Sequence, residues 1–325
     1  MRRRAPLPKR FQKIRPGKSP AGNIVGNPAT GGDTSKGRPA RHPIVRATLW
    51  MTGTLISFMA MAIGGRELSA ELNTFQILFF RSLIGLVVIG ALMRPTGWRR
   101  LQTGCFLLHA ARNIAHFGGQ FGWFYGLATL SLAEVFAIEF TVPVWTAVLA
   151  TLLLGERLTR PRITAIALGI AGMLIILRPG AAVFQPAALA VLGGAVGYAL
   201  SHTLTRKLAQ IDPPLVIIFY MTAIQLPLGL VPSLAGWVSP SPAMWPWLLA
   251  VGLSALTAHY CMARALKLAD ATVVVPMDFM RLPLIALVGL TLYGERPDVL
   301  VLVGAVVMLA GNLVNVRAEH NKPGA

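Results

Sequence analysis

AEVFAIEFTVPVWTAVLATLLLGER, residues 133–157, is the stretch whose reading decides the fold. Between Glu134 and Glu156 its one charge is Glu139, and Pro143 lies near its middle. A hydrocarbon core about 30 Å thick is crossed by about 20 apolar residues in a helix, so the stretch reads as a membrane span. A second stretch, ADATVVVPMDFMRLPLIALVGLTLYGER at residues 269–296, has the same plan. Each opens on alanine and an acid, carries a proline (Pro143, Pro283) and closes on Gly-Glu-Arg. The Gly-Glu-Arg triplets are 139 residues apart, as are Ala171-Gly172 and Ala310-Gly311, whereas the openings are 136 apart, so the second copy holds three extra residues. Self-similarity at a fixed offset points to an internal repeat.

Outward from these two stretches, apolar segments follow one another from Arg46 to Arg317. The expected spans are 47–65, 74–93, 104–126, 132–154, 162–178, 186–205, 214–233, 244–263, 271–293 and 299–316. The fold class is an all-α integral membrane protein with ten transmembrane helices. Arg94-Pro95, Arg178-Pro179, Pro213-Pro214 and Arg296-Pro297 mark span ends. The third span is the least apolar, holding His109, Arg112, Asn113, His116 and Gln120. With the amino terminus in the cytoplasm, inner loops hold ten basic residues (Arg94, Arg99, Arg100, Arg157, Arg160, Arg162, Arg206, Lys207, Arg264, Lys267) and outer loops three (Arg66, Arg178, Arg296). That is the positive-inside bias, and deleting any span would blur it.

The formal net charge of +18 is therefore not a nucleic-acid signature: 12 of the 30 Lys and Arg residues fall in the first 46 positions, against Asp33 alone. Residues 1–45 lack apolar periodicity and read as a disordered basic cytoplasmic tail, with no signal peptide or cleavage site expected. Cys105 and Cys261 form neither a metal spacing nor a disulfide framework.

Each copy holds five helices. Five is odd, so the second copy inserts upside down, the inverted-repeat plan of secondary transporters with a midplane site. The expected domains are the tail 1–45, repeats at 46–180 and 186–317, and a short cytoplasmic tail 318–325. Phe80-Arg81-Ser82, Glu134 through Pro143 to Gly155-Glu156-Arg157, and Ala269 through Pro283 to Gly294-Glu295-Arg296 resemble the drug/metabolite transporter superfamily, EamA type, over about 46–317. The resemblance implies secondary transport of small organic metabolites without ATP, and no Gly-x-x-x-x-Gly-Lys-Ser/Thr loop occurs. The third, fourth and ninth spans, with Val274-Val275-Pro276-Met277-Asp278-Phe279, are similar to alpha-proteobacterial transporters that import riboflavin or S-adenosylmethionine or export amino-acid metabolites.

Arg81, Arg112 and Arg281 lie inside spans, where an arginine costs at least about 2.5–3.5 kcal/mol. Their candidate partners are Glu139 and Asp278. Asp278 and Arg281 are three apart on one helix face, and Glu139 and Arg81 are expected at one depth. Such pairs are either static or line a cavity, with Glu139 carrying the coupling proton and arginines orienting substrate. Three arginines against two carboxylates favour an anionic or electron-rich ligand. His109, Arg112 and His116 form one helix stripe, either a proton relay or a packing stripe. Phe140 and Trp145 flank Pro143 and are expected to stack a flat ring. Pro143, Pro276 and Pro283 are expected to hinge or open the helix backbone. Gly118, Gly119, Gly122, Gly193, Gly194 and Gly197 are expected to pack helices closely. The Gly-Glu-Arg triplets read as helix caps and interfacial anchors.

The substrate contacts expected are thus Arg81, Arg112, His116, Phe140, Trp145, Asp278 and Arg281, with Glu139 in proton coupling. No cofactor and no metal is expected. The partners are a small-molecule substrate and membrane lipids, with a homodimer left open and no nucleic acid. The location is the bacterial inner membrane, both termini cytoplasmic. The expected function is uptake of riboflavin, with S-adenosylmethionine uptake or amino-acid metabolite efflux as alternatives on the same fold. An intramembrane enzyme would show Gly-x-Ser-Gly, His-Glu-x-x-His or a paired-aspartate helix motif, and none occurs. A passive channel or sensor is the remaining class.

Overall fold

The computed structural model of the chain describes residues 42–94, 101–154, 159–177, 185–266, 268, 277–296 and 298–320. The described residues form helices, helical turns and their connections, with no strand among them. Most of the basic tail, Arg99, Arg100, Gly155-Glu156-Arg157, Arg178, Lys267, Ala269-Asp270 and Pro276 lie outside the described residues. Residues 42–45, expected to end the tail, already belong to the first helix.

The helices are α1 (His42–Leu68), α2 (Thr74–Met93), α3 (Phe106–Thr129), α4 (Leu132–Glu139), α5 (Val142–Leu154), α6 (Arg160–Leu177), α7 (Pro186–Leu208), α8 (Pro214–Ser233), α9 (Trp245–Leu266), α10 (Arg281–Tyr293) and α11 (Val299–His320). Among the described residues five helical stretches are long and apolar enough to cross a membrane: Val45–Leu68, Thr74–Met93, Leu132–Leu153, Pro186–Thr205 and Pro214–Gly236. The third of these joins α4 and α5, which part at Phe140-Thr141. Pro143 sits in the first turn of α5, where its missing N–H costs no helical bond. A helical turn at 277–279 precedes α10, and Pro283 likewise falls in that helix's first turn.

Local chemistry fixes the ends. The Asn73 side chain caps α2 by accepting from Gln76 N at 3.0 Å. Ser131 caps α4 by accepting from Glu134 N, the Ser-x-x-Glu spacing of a helix start. The chain leaves α10 through Gly294 at φ 65°, the left-handed region that favours glycine. Glu295 N–H then donates to Gly289 O at 2.9 Å, which fixes where the Glu295 carboxylate sits.

The helices pack in antiparallel pairs. A Cβ on Gly85 of α2 would meet Thr222 of α8, and one on Gly229 would meet Phe79. In α3 against α7, Gly122 faces Ala190 and Gly197 faces Ala115. A Cβ on Gly122 would lie 2.1 Å from Ala190 O, so glycine is what admits this approach. Gly119 and Gly194 share the contact, but nothing lies within 4 Å of a Cβ at Gly118 or Gly193. α1 pairs with α9 through Gly53–Cys261 and Gly64–Val251, and α6 with α11 through Gly172–Gly304 and Leu168–Gly311. Leu68, Ile77, Phe124, Phe136, Ile138 and Ile285 fill the centre of one apolar core.

Candidate functional site

The parting of α4 from α5 and the turn before α10 meet at the centre of the bundle. Phe140 at the first and Phe279 at the second stack at 4.3 Å between ring centroids. Both line a cavity of about 510 Å³. It runs from Met61 and Phe124 past Glu139 toward Arg162 at the start of α6 and Asn315 near the end of α11.

Arg281 is the hub of its charged wall. Nη2 donates to Asp278 Oδ2 at 2.7 Å and Nη1 to Glu139 Oε1 at 3.2 Å. Glu139 Oε2 also accepts from Trp123 Nε1 at 2.8 Å. The guanidinium lies 4.5 Å from the Phe58 ring centroid and 5.2 Å from that of Phe140, both cation–π contacts. Asp278 Oδ1 is buried with no partner among the described residues. One guanidinium thus faces two carboxylates.

The expected pairing of Asp278 with Arg281 is present, and that of Glu139 with Arg81 is not. Glu139 is held by Arg281 because the two helix breaks bring these residues together, whereas Arg81 sits mid-helix in α2. Arg81 is 6% exposed, lines the cavity, and its Nε has no partner. Among the described residues no carboxylate pairs with it.

Of the other expected contacts, His116, Phe140, Asp278 and Arg281 line the cavity together with Glu139. Arg112 and Trp145 do not. Arg112 donates from Nε to Thr205 Oγ1 at 3.1 Å and from Nη1 to Asn113 Oδ1 at 2.6 Å, tying α3 to α7. Trp145 turns back along its own helix, Nε1 donating to Thr141 Oγ1 at 3.2 Å.

Of the His109–Arg112–His116 stripe, His109 and Arg112 face protein and His116 lines the cavity. His109 Nε2 is 2.8 Å from Asp212 Oδ2, which also accepts from Thr103 Oγ1 at 2.6 Å. Those contacts, the Thr103 hydroxyl first, hold the Asp212 carboxyl below the usual carboxylate range, so it is ionised at neutral pH. This cluster closes α3 onto the α7–α8 connection and is separate from the cavity lining.

Tyr198, His202, His259 and Gln120 also line the cavity, and none was singled out as a contact from the sequence. A signal existed for the histidines: an imidazole inside an apolar span marks a protein-facing or water-facing position. For Gln120 and Tyr198 there was none, because neutral polar residues recur on packing faces.

At the far end from Arg162 and Asn315, the bundle is clasped. Arg66 Nη1 lies 3.0 Å from Glu295 Oε1 and its Nη2 donates to Leu130 O. Leu132 N–H donates to Glu295 Oε2 at 2.8 Å, and Tyr293 Oη donates to Glu67 at 2.7 Å. The reading of Gly-Glu-Arg as an interfacial anchor thus misses what Glu295 does. Its carboxylate joins the ends of α1 and α4, and Arg66 ties in the end of α3.

A single family describes the whole helical region. The EamA-like transporter family matches twice, over residues 45–178 and 185–317. The chain is 24% identical over 270 residues to an S-adenosylmethionine uptake transporter of Rickettsia conorii, covering 83% of this chain and 92% of the relative. It is 28% identical over 275 residues to a riboflavin transporter of Vibrio cholerae, with coverages of 83% and 92%. A pseudopaline exporter of Pseudomonas aeruginosa is 27% identical over 265 residues, with coverages of 81% and 93%. One solved protein crystal structure superposes with a TM-score of 0.61 at 20% identity, covering 85% of this chain and 99% of its own, and so shares the fold. With both halves matched, the chain belongs to the EamA-like transporter family, and it is a membrane transporter and not an enzyme.

Proposed function

We propose that this transporter takes up riboflavin across the bacterial inner membrane, driven by a proton gradient. The observation that carries the reading is the cavity. At about 510 Å³ it falls within the usual range of about 300–1,000 Å³ for ligand sites, and rings of Trp123, Phe124, Phe140, Tyr198 and Phe279 wall it. Aromatic walls suit a flat heterocycle, and the polar and charged side chains between them can orient it. Arg81, His116, Phe140, Asp278 and Arg281 contact the substrate, and Glu139 carries the coupling proton.

The architecture we infer is ten spans in two inverted repeats, 46–180 and 186–317, between the basic tail 1–45 and the short tail 318–325, with both termini cytoplasmic. The paired family matches support it. So does the helix pairing: α2 and α8 hold the same place in the two repeats and run antiparallel, as counterparts in inverted repeats do. In this orientation the cavity faces the cytoplasm.

A second reading, uptake of S-adenosylmethionine, is favoured by Asp278 Oδ1, an unpartnered acceptor for a cationic group. Vesicles holding the purified protein distinguish the two. Under an inward proton gradient, labelled riboflavin should accumulate saturably and labelled S-adenosylmethionine should not. Accumulation of S-adenosylmethionine alone replaces the substrate. Flux that neither saturates nor responds to the gradient removes the coupled-transporter reading in favour of a channel.

A further inference from the structure

The polar groups of the cavity that the Arg281 cluster does not use have a pattern of their own. Three belong to two adjacent helices: Arg81 on α2, and His116 and Gln120 one turn apart on one face of α3. All three are buried, at 6%, 3% and 2% exposure. Arg81 offers donors only, and its Nε has no partner.

Gln120 presents an oxygen, Oε1, that is buried and unpartnered. It is an acceptor held inside an apolar bundle with no donor to it among the described residues. His116 takes its role from its neighbour. The amide nitrogen of Gln225 lies 3.0 Å from His116 Nδ1, and the same nitrogen is 3.5 Å from Asn113 Oδ1. An amide nitrogen donates, so Nδ1 accepts and the ring proton resides on Nε2. His116 therefore brings a second donor. The wall offers donors from two residues and an acceptor from a third, with aromatic rings beside them.

A buried polar group without a partner costs about 1–3 kcal/mol, so lining residues that carry such atoms, Arg81 and Gln120, gain by turning to a complementary ligand. The complement here is two acceptors and one donor on a flat ring. A cyclic imide has that set: two carbonyl oxygens flanking one N–H. An aminopurine edge offers an amino donor beside a single ring acceptor and leaves one of the protein donors open.

We infer that Arg81, His116 and Gln120 form a specificity subsite that reads the imide edge of a planar heterocycle, of the kind carried by a pyrimidinedione ring. The inference rests on the riboflavin reading and deepens it, because the flavin ring carries such an edge. Guanidinium and imidazole donate to the two carbonyls, and Gln120 Oε1 accepts from the imide N–H. The rings of Trp123, Phe124 and Phe140 cover the faces. Arg81 then meets an electron-rich oxygen pair in place of a counter-carboxylate. The Glu139 carboxylate stays free for the coupling proton, while Asp278 and Arg281 border the substrate.

The test uses the full chain in lipid nanodiscs and flavin fluorescence as the binding signal, with riboflavin and its N3-methyl derivative as probes. Methylation replaces the imide N–H with a methyl group and leaves both carbonyls in place. Wild-type protein should bind riboflavin at least about tenfold more tightly than the N3-methyl compound. In Gln120→Leu, riboflavin binding should fall to the level of the methyl compound, so that the tenfold difference disappears. This comparison needs no change of fold, because the wild-type ratio is measured with ligands alone. Equal binding of the two flavins by the wild type overturns the imide subsite and leaves riboflavin transport standing. Retention of the full ratio in a folded Gln120→Leu variant overturns the assignment to Gln120. Binding of neither flavin overturns the subsite together with the riboflavin reading.

Discussion

At Arg281 one guanidinium meets the carboxylates of Asp278 and Glu139, and its removal leaves two acids facing each other inside the bundle. Breaking a buried pair from one side costs about 3–5 kcal/mol. Arg281→Gln should therefore lower the yield of folded protein severely. Glu139→Gln should be milder, because Asp278 still neutralises Arg281 and the Gln amide can still accept from Trp123. If Glu139 carries the coupling proton, a folded Glu139→Gln variant should lose gradient-driven accumulation of riboflavin and retain exchange, which needs no net proton movement. Uptake and counterflow in vesicles, normalised to folded protein, measure both. Normal accumulation by the variant removes the proton role. The charges themselves were legible in the sequence, since arginine and carboxylate stand out in a medium that penalises them. The i,i+3 spacing gave Asp278–Arg281. The partner of Glu139 was not legible, because it lies 142 residues away and depth in a span ranks several arginines equally.

Among elements, the two interrupted helices position the site. Pro143 and Pro283 marked the interruptions in the sequence, but the geometry they produce depends on how two breaks meet, which no single stretch encodes. The clasp at the other end is likewise a tertiary event. Gly294 was readable as a cap, yet the destination of Glu295 depends on α1, α3 and α4. Glu295 Oε2 sits where a Cβ on Gly289 would be only 2.7 Å away, so the glycine is what lets the carboxylate reach Leu132 N. Hydrogen bonds to a charged group contribute about 1.5–3 kcal/mol, enough to bias two bundle states by about tenfold or more. In the orientation proposed above, the clasp closes the outer side, and substrate entry from that side requires it to open. Glu295→Gln should therefore populate the outward-open state. The readout is an Ala133→Cys probe, 4% exposed beside the clasp, in a background with Cys105 and Cys261 replaced by alanine. A membrane-impermeant maleimide added from the periplasmic side should label it about tenfold faster in Glu295→Gln than with the glutamate retained. An unchanged rate shows that the clasp is static.

For the whole molecule, the inverted arrangement we propose rests on counting: one span more or fewer would turn every later loop to the other face. Two independent features constrain that count. The basic residues fall ten to three between alternate loops, and the helices pair α1 with α9, α2 with α8, and α3 with α7. A five-plus-five inverted plan yields that pairing because the first helix of one repeat then meets the third of the other, in both directions, and the two second helices meet each other. A six-plus-four division would break the reciprocity, leaving α3–α7 without a counterpart to α1–α9. The loop after Arg66, the loop after Arg178 and the 234–243 connection should then all lie in the periplasm. A phosphatase reporter, active only in the periplasm, should be active when fused at each of these three sites. It should be silent when fused after Arg94 or Lys207. Silence at two of the three outer sites would overturn the orientation and the inverted repeat together, and the Arg162 and Asn315 end of the cavity would no longer lie on the cytoplasmic side.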